Sequence, residues 1–225
     1  MSDLDAYCRI QFVDSLIGYL DVRQWSFAKI CTCPASSAPI DLRMHHYLYF
    51  TNLFGAIDLV RDHLEESARP AFDEELQKGF PSGGDYLYAR ELRNAMVHRG
   101  LDPVASAAQH GDFVYAGCPP VVFHRGGKKA YACSTPLLAT LAVNCNKASN
   151  AAILRVVEQE GLLDPGAYRM DMTQPMETIE ATECMPEWTE DMAAEAFSAM
   201  DFAALSAELG ETRVRQLQSL LGDSA

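Results

Sequence analysis

Apolar residues recur at helical spacing over most of this chain. Leu4, Cys8, Phe12, Leu16 and Leu20 fall every four residues, and Ser2 with Asp5 three positions on forms a capping pair, so the chain opens with a helix. Residues 31–39, with two prolines and two serines, break it. The next stripe is the longest: Leu42, His46, Tyr49, Leu53, Ala56, Val60 and His63 or Leu64 alternate steps of four and three, predicting a helix from Pro39 to about Ser67, ended before Pro70. A stripe of that length calls for antiparallel partners. Phe72 and Leu76 mark a short helical turn closed by Gly79, Pro81, Gly83 and Gly84. Asp85 is placed to cap the helix that follows, and Gly100 and Pro103 stop it. At about 100° per residue, Tyr88, Leu92, Ala95 and Met96 make its buried face, while Arg90, Asn94 and His98 fall within about 80° on the other side.

From Gly111 the period shortens. Phe113-Val114-Tyr115, Val121-Val122-Phe123 and Ala130-Tyr131-Ala132 read as two or three short strands of a β ribbon inserted near residues 111–133 of a helical protein. A long helix starts at Thr135-Pro136, with Leu138, Leu141, Cys145, Ala148 and Ala152 facing inward as far as Gly161. Residues 164–186 look irregular. Pro186 then opens an amphipathic helix through Trp188, Met192, Phe197, Met200 and Leu205, and Val214, Leu217 and Leu221 mark a last one. The expected architecture is mainly α, a helical bundle with a small β insertion over residues 1–163 and an acidic helical segment over 164–225.

Charge sharpens that division. The net charge is −13, but residues 158–225 hold 3 Lys or Arg against 15 Asp or Glu, leaving the first 157 residues nearly neutral. Such a protein attracts no nucleic acid through its overall field, so any nucleic-acid contact has to be made by a local basic patch. No apolar run approaches the roughly 18 residues needed to span a bilayer, and the acidic start is unlike a secretory signal, so the expected setting is the cytoplasm, without membrane contact. Seven cysteines without a paired pattern are expected to be free thiols. Cys31-Thr32-Cys33, followed by His45-His46, is the one metal-like cluster, but its single-residue spacing is not that of a zinc site, and no metal or cofactor is expected.

The chemistry concentrates in Glu91-Leu92-Arg93-Asn94-Ala95-Met96-Val97-His98-Arg99-Gly100. Cleaving RNA without a metal requires a base for the ribose 2′-hydroxyl, an acid for the leaving oxygen and a fixed cation on the phosphate. Histidine can fill either of the first roles and arginine the third. His98 is the candidate for proton transfer, Arg93 for the phosphate and Asn94 for orienting the imidazole, with Arg90 and Arg99 as supporting backbone contacts. Arg93 lies about 140° from His98 on an ideal helix, so the two converge only if the last turn frays or a second copy completes the site.

Arg93, Asn94 and His98, in the pattern Arg-Asn-x-x-x-His near the end of a helix in a helical bundle, resemble the HEPN superfamily. The resemblance covers residues 1 to about 157. It implies a metal-independent ribonuclease at a homodimer cleft, in a family with many toxins and antiviral effectors. It equally admits a non-catalytic interaction or regulatory module. One toxin branch has Tyr two residues after the His, where this chain has Gly100. A Cys/His metal-binding regulator is the reading from another class. The acidic segment is expected either to bind a protein partner or compete with RNA phosphates near Arg90, Arg93 and Arg99, or simply to pack on the body through Trp188, Met192, Phe197 and Leu205.

Overall fold

The computed structural model describes residues 3–37, 39–169 and 188–222. They form seven α-helices and two β-hairpins: α1 (Asp3–Cys31), α2 (Pro39–His63), α3 (Arg69–Lys78), α4 (Gly83–Arg99), β1 (Ala107–His110), β2 (Phe113–Ala116), β3 (Val121–Phe123), β4 (Ala130–Ala132), α5 (Leu138–Gln159), α6 (Trp188–Ser198) and α7 (Phe202–Gly222). The protein is mainly helical, and no helix among the described residues is long and apolar enough to cross a membrane. Two compact units divide it, Met1–Ile17 with Val157–Ser219 and Gly18–Val156 with Leu220–Ala225. The step in charge near residue 164 is a boundary of composition, and the first unit runs across it.

The unit built on Gly18–Val156 carries the site. The α2 stripe lies inside it, with Leu42, His46, Tyr49, Leu53, Ala56 and Val60 all buried. The inward positions Leu138, Leu141, Cys145, Ala148 and Ala152 of α5 are buried too. Between these helices the Tyr49 hydroxyl donates to the Ala142 carbonyl at 2.7 Å and lies 2.9 Å from Asn146 Oδ1, so this fully buried tyrosine finds its polar partners on α5. Arg23, 2% exposed, donates to Ser149 Oγ and Asn150 Oδ1, and burial pulls its pKa below the usual arginine range. A Cβ at Gly79 would sit 2.6 Å from the Ala148 Cβ, so the close approach to α5 needs glycine there.

In the other unit Phe12, Val13 and Leu16 of α1 and Val214 and Leu217 of α7 are buried. Arg213 makes a two-pronged pair with Asp14 at 2.7 and 2.8 Å and lies 5.7 Å from the centre of the Tyr168 ring. The six described cysteines are free thiols, and Cys8, one of the apolar positions spaced along α1, is exposed.

Several boundaries differ from the sequence expectation, each for a local reason. Helix α2 ends at His63 rather than near Ser67, because Arg69 reaches back to cap the Leu64 carbonyl at 3.2 Å. Pro70 then stands at the start of α3, where a missing N–H costs nothing, so the expected short turn is a ten-residue helix. Asp85 does not cap α4, which begins earlier at Gly83. Helix α5 begins at Leu138 rather than Thr135, because residues 134–136 are held in other bonds: Ser134 and Thr135 bond Asp85, and the Pro136 carbonyl accepts from the Cys118 N–H at 2.9 Å. The expected single ribbon of two or three strands is two separate antiparallel hairpins, β1 with β2 and β3 with β4, and the first begins at Ala107, ahead of the expected start. The helix expected from Trp188 through Leu205 is two, since Asp201 caps a new start by accepting from the Ala204 N–H at 3.0 Å. Trp188 and Met192, expected to pack, are 61% and 60% exposed. The expected Ser2 cap, the side chain of Leu4, Pro186, most of the irregular stretch and the side chain of Phe197 lie outside the described residues.

Candidate functional site

Helix α4 is fixed at both ends. At its start the buried Asp85 carboxylate accepts from the Ser134 N–H at 2.9 Å, the Ser134 hydroxyl at 2.6 Å and the Thr135 hydroxyl at 3.4 Å. One turn on, the Tyr88 hydroxyl donates to the Pro119 carbonyl at 2.6 Å, and burial pushes its pKa far up. These bonds grip both sides of the β3–β4 hairpin, which packs on α4. At the far end Gly100 adopts φ +67°, and the Leu101 N–H returns to the Ala95 carbonyl at 3.1 Å, a left-handed closure that glycine makes without strain. The apolar face of Tyr88, Leu92, Ala95 and Met96 is buried as its spacing required.

The polar residues of α4 go to different places. Arg93 turns toward α2, where its Nη2 donates to Asp58 Oδ2 at 2.9 Å and its guanidinium carbon lies 5.4 Å from the centre of the Phe54 ring. Its side chain is 21% exposed, and its Nε is buried without a hydrogen-bond partner. Arg90 is half-buried near Tyr86; burial pushes that phenol up, and the charge of Arg90 opposes the shift. Neither arginine lines the space around His98.

Asn94, His98 and Arg99 line an open cleft of about 470 Å³, together with Glu91 from α4 and His124 and Arg125 from the end of β3. The mostly buried Glu91 carboxylate accepts from Arg99 Nη2 at 2.9 Å, and Arg99 Nη2 also reaches the Glu91 carbonyl at 3.4 Å. That pair anchors the Arg99 side chain and leaves its remaining N–H groups for a ligand. On the opposite wall a tight turn holds His124, its N–H donating to the Lys129 carbonyl at 2.8 Å and its carbonyl accepting from the Gly127 N–H at 2.7 Å. Two arginines against one glutamate give the cleft a net positive charge, which rises when either imidazole is protonated. An anion bearing transferable protons fits that chemistry.

His124 and Arg125 meet His98 only through the fold. Twenty-five residues separate the two histidines, and the one signal in the sequence was the basic composition of Arg125, Lys128 and Lys129 in a glycine turn. The other histidine cluster does not converge on a ligand. His46 is buried and donates from Nδ1 to the Leu42 carbonyl at 2.8 Å, and His45 packs edge-on against Trp25 with ring centres 5.1 Å apart. Among the described residues no three His, Cys, Asp or Glu side chains come together as metal ligands. Comparison with protein-family models, curated proteins and solved structures found no match to this chain.

Proposed function

We propose that this chain is a HEPN-like endoribonuclease that cleaves RNA by attack of the ribose 2′-hydroxyl, without a metal. The observation that carries the reading is the cleft in which His98 and His124, from two different elements, share one wall-to-wall space with Arg99, Arg125 and Asn94. One imidazole takes the 2′-hydroxyl proton as the 2′-oxygen bonds to phosphorus. The other, as imidazolium, gives a proton to the 5′-oxygen as its bond to phosphorus breaks, leaving a 2′,3′-cyclic phosphate and a 5′-hydroxyl. Arg99 and Arg125 neutralise the phosphoryl oxygens, and Asn94, one turn before His98 on the same helix face, orients the imidazole. Within one protomer Arg93 supports α4 through Asp58. It joins the phosphate contacts in a two-fold homodimer that brings two α4 helices together.

A toxin or defence role follows from the resemblance to HEPN proteins and belongs to this proposal, as does a cytoplasmic setting. The test is incubation of the purified protein with varied single-stranded RNAs in EDTA. Fragments ending in 2′,3′-cyclic phosphate are expected, and intact RNA under all conditions overturns the reading. The second reading, a non-catalytic module, is favoured by the engagement of Arg93 with Asp58 away from His98. It predicts binding of a protein or nucleotide partner, with RNA left intact. Light scattering tests the dimer.

A further inference from the structure

The β3–β4 hairpin has one buried and one open face. In its register Val121 pairs with Ala132, Val122 with Tyr131 and Phe123 with Ala130. Val122 points inward and is buried, whereas Val121, Phe123, Ala130 and Ala132 are all exposed, Phe123 at 55%. Four apolar side chains on the outer face of a ribbon, one of them aromatic, gain nothing from water. The tip between these strands reads His124-Arg125-Gly126-Gly127-Lys128-Lys129, with three cations and no acid in a protein of net charge −13. Lys129 lies 5.0 Å over the Tyr131 ring, while Arg125 and Lys128 have no acidic partner among the described residues. Arg125 and His124 also line the cleft of His98.

We infer that the outer face of the β3–β4 hairpin binds single-stranded RNA, with Phe123 stacking an unpaired base and Arg125 and Lys128 holding the flanking phosphates. This rests on the proposed activity for its choice of RNA and deepens it by naming unpaired nucleotides as the substrate class. The physical reason is the combination. A cationic tip alone suits any anion, and an apolar face alone suits any partner. An exposed aromatic ring directly beside unpaired cations matches a polymer that alternates flat bases with phosphates. A duplex keeps its bases stacked on one another and cannot offer one to Phe123. Arg125 belongs both to the hairpin tip and to the lining of the His98 cleft, so a strand held at the tip lies next to that cleft.

The experiment uses the full chain and a fluorescent 2′-O-methyl RNA 12-mer, which cannot be cut by 2′-hydroxyl attack, so binding is read apart from cleavage. Wild-type protein is expected to bind the single strand well above its duplex. Phe123→Ala is expected to weaken single-strand binding by about 5- to 150-fold, the range of one lost base–aromatic stack, and Phe123→Trp to restore it. An abasic 12-mer is expected to bind wild type weakly and to erase the difference between wild type and Phe123→Ala. Arg125→Ala and Lys128→Ala are each expected to lower the dependence of affinity on salt by about one phosphate contact. Single-stranded DNA of the same length should bind within a few-fold, since stacking and phosphate contacts do not read the sugar. Circular dichroism verifies that the variants fold.

Equal binding by wild type and Phe123→Ala, or duplex bound as tightly as single strand, overturns the inference. So does a change from dimer to monomer in Phe123→Ala without loss of RNA affinity, which assigns the face to a second copy of the chain. Phe123-dependent binding without cleavage of ordinary RNA leaves the inference standing and removes the nuclease. Cleavage that Phe123→Ala does not slow leaves the nuclease and removes the inference.

Discussion

On one side of α4, Arg93 is paired with Asp58 and laid over Phe54; on the other, Asn94 and His98 look across an open cleft toward His124 and Arg125. Arg93 and Asn94 are adjacent in sequence, yet one helix step of about 100° gives them different neighbours and different work. The Arg93 side is closed: its charge is compensated, its surface mostly covered, and its contribution is to hold α4 against α2. The His98 side is open, its cations only partly compensated, and its opposite wall comes from a hairpin far along the chain. A motif read as one unit in the sequence is thus divided by the helix into a residue engaged with α2 and residues that line an open cleft.

The largest effect separates the two sides by activity. His98→Ala and His124→Ala are each expected to lower RNA cleavage by about 10²- to 10⁴-fold while changing stability by less than about 0.5 kcal/mol, because both residues are exposed. Single-turnover assays in EDTA beside thermal melts measure this. A variant that loses activity only in proportion to unfolding breaks the comparison.

A buried histidine supplies the contrasting pH response. Burial pulls His46 down from 6.5 to about 4, although its bond to the Leu42 carbonyl pulls the other way. The unfolded chain binds a proton that the folded one refuses, so this contribution is complete above pH 6.5 and is lost as pH falls through about 4. The loss amounts to about 3 kcal/mol, read by urea unfolding at several pH values. His46→Gln is expected to flatten that part of the slope and leave the pH dependence of cleavage, which belongs to the cleft, where it was.

Asp85 joins the open wall to the closed core, so its removal tests whether the hairpin needs α4 for its position. Asp85→Ala leaves the Ser134 N–H and hydroxyl without their acceptor and is expected to cost about 1–3 kcal/mol in chemical denaturation, with a parallel fall in cleavage. Asp85→Asn, which keeps one oxygen acceptor, is expected to cost less.

The smallest effect sharpens the assignment of Arg93. Arg93→Ala removes one ion pair and one ring contact and is expected to cost about 1–2 kcal/mol of stability, more than the half-exposed Asp58→Ala. If a second copy brings Arg93 to the phosphate, cleavage falls by far more than that loss of stability accounts for. An equal fall in both confines Arg93 to the anchoring role.

Much of the helical framework was legible because burial and spacing agree. The α2 stripe from Leu42 to Val60, the α5 stripe from Leu138 to Ala152 and the apolar face of α4 are each a 3.6-residue pattern, and all of those positions are buried. Gly100 was legible as a stop because a left-handed residue closes a helix and glycine takes that conformation freely. Less was legible where side chains decide. Ala107–His110 holds no β-branched residue, and it is a strand only because the backbone of Phe113–Ala116 pairs with it. The start of α5 moved because Asp85, fifty residues away, claims Ser134 and Thr135.

The site divides the same way. By itself the sequence determined that α4 ends in a run of Arg, Asn, His and Arg, that Arg93 and His98 stand on different faces, and that the positive charge in the middle of the chain collects in a glycine turn; helix geometry and composition suffice for these. Only the tertiary structure decided that Arg93 is spent on Asp58, that Glu91 anchors Arg99, and that His124 and Arg125 face His98. The reason is physical: periodicity reports which face of an element avoids water, whereas which polar groups meet depends on how separate elements pack, and no local pattern encodes that distance.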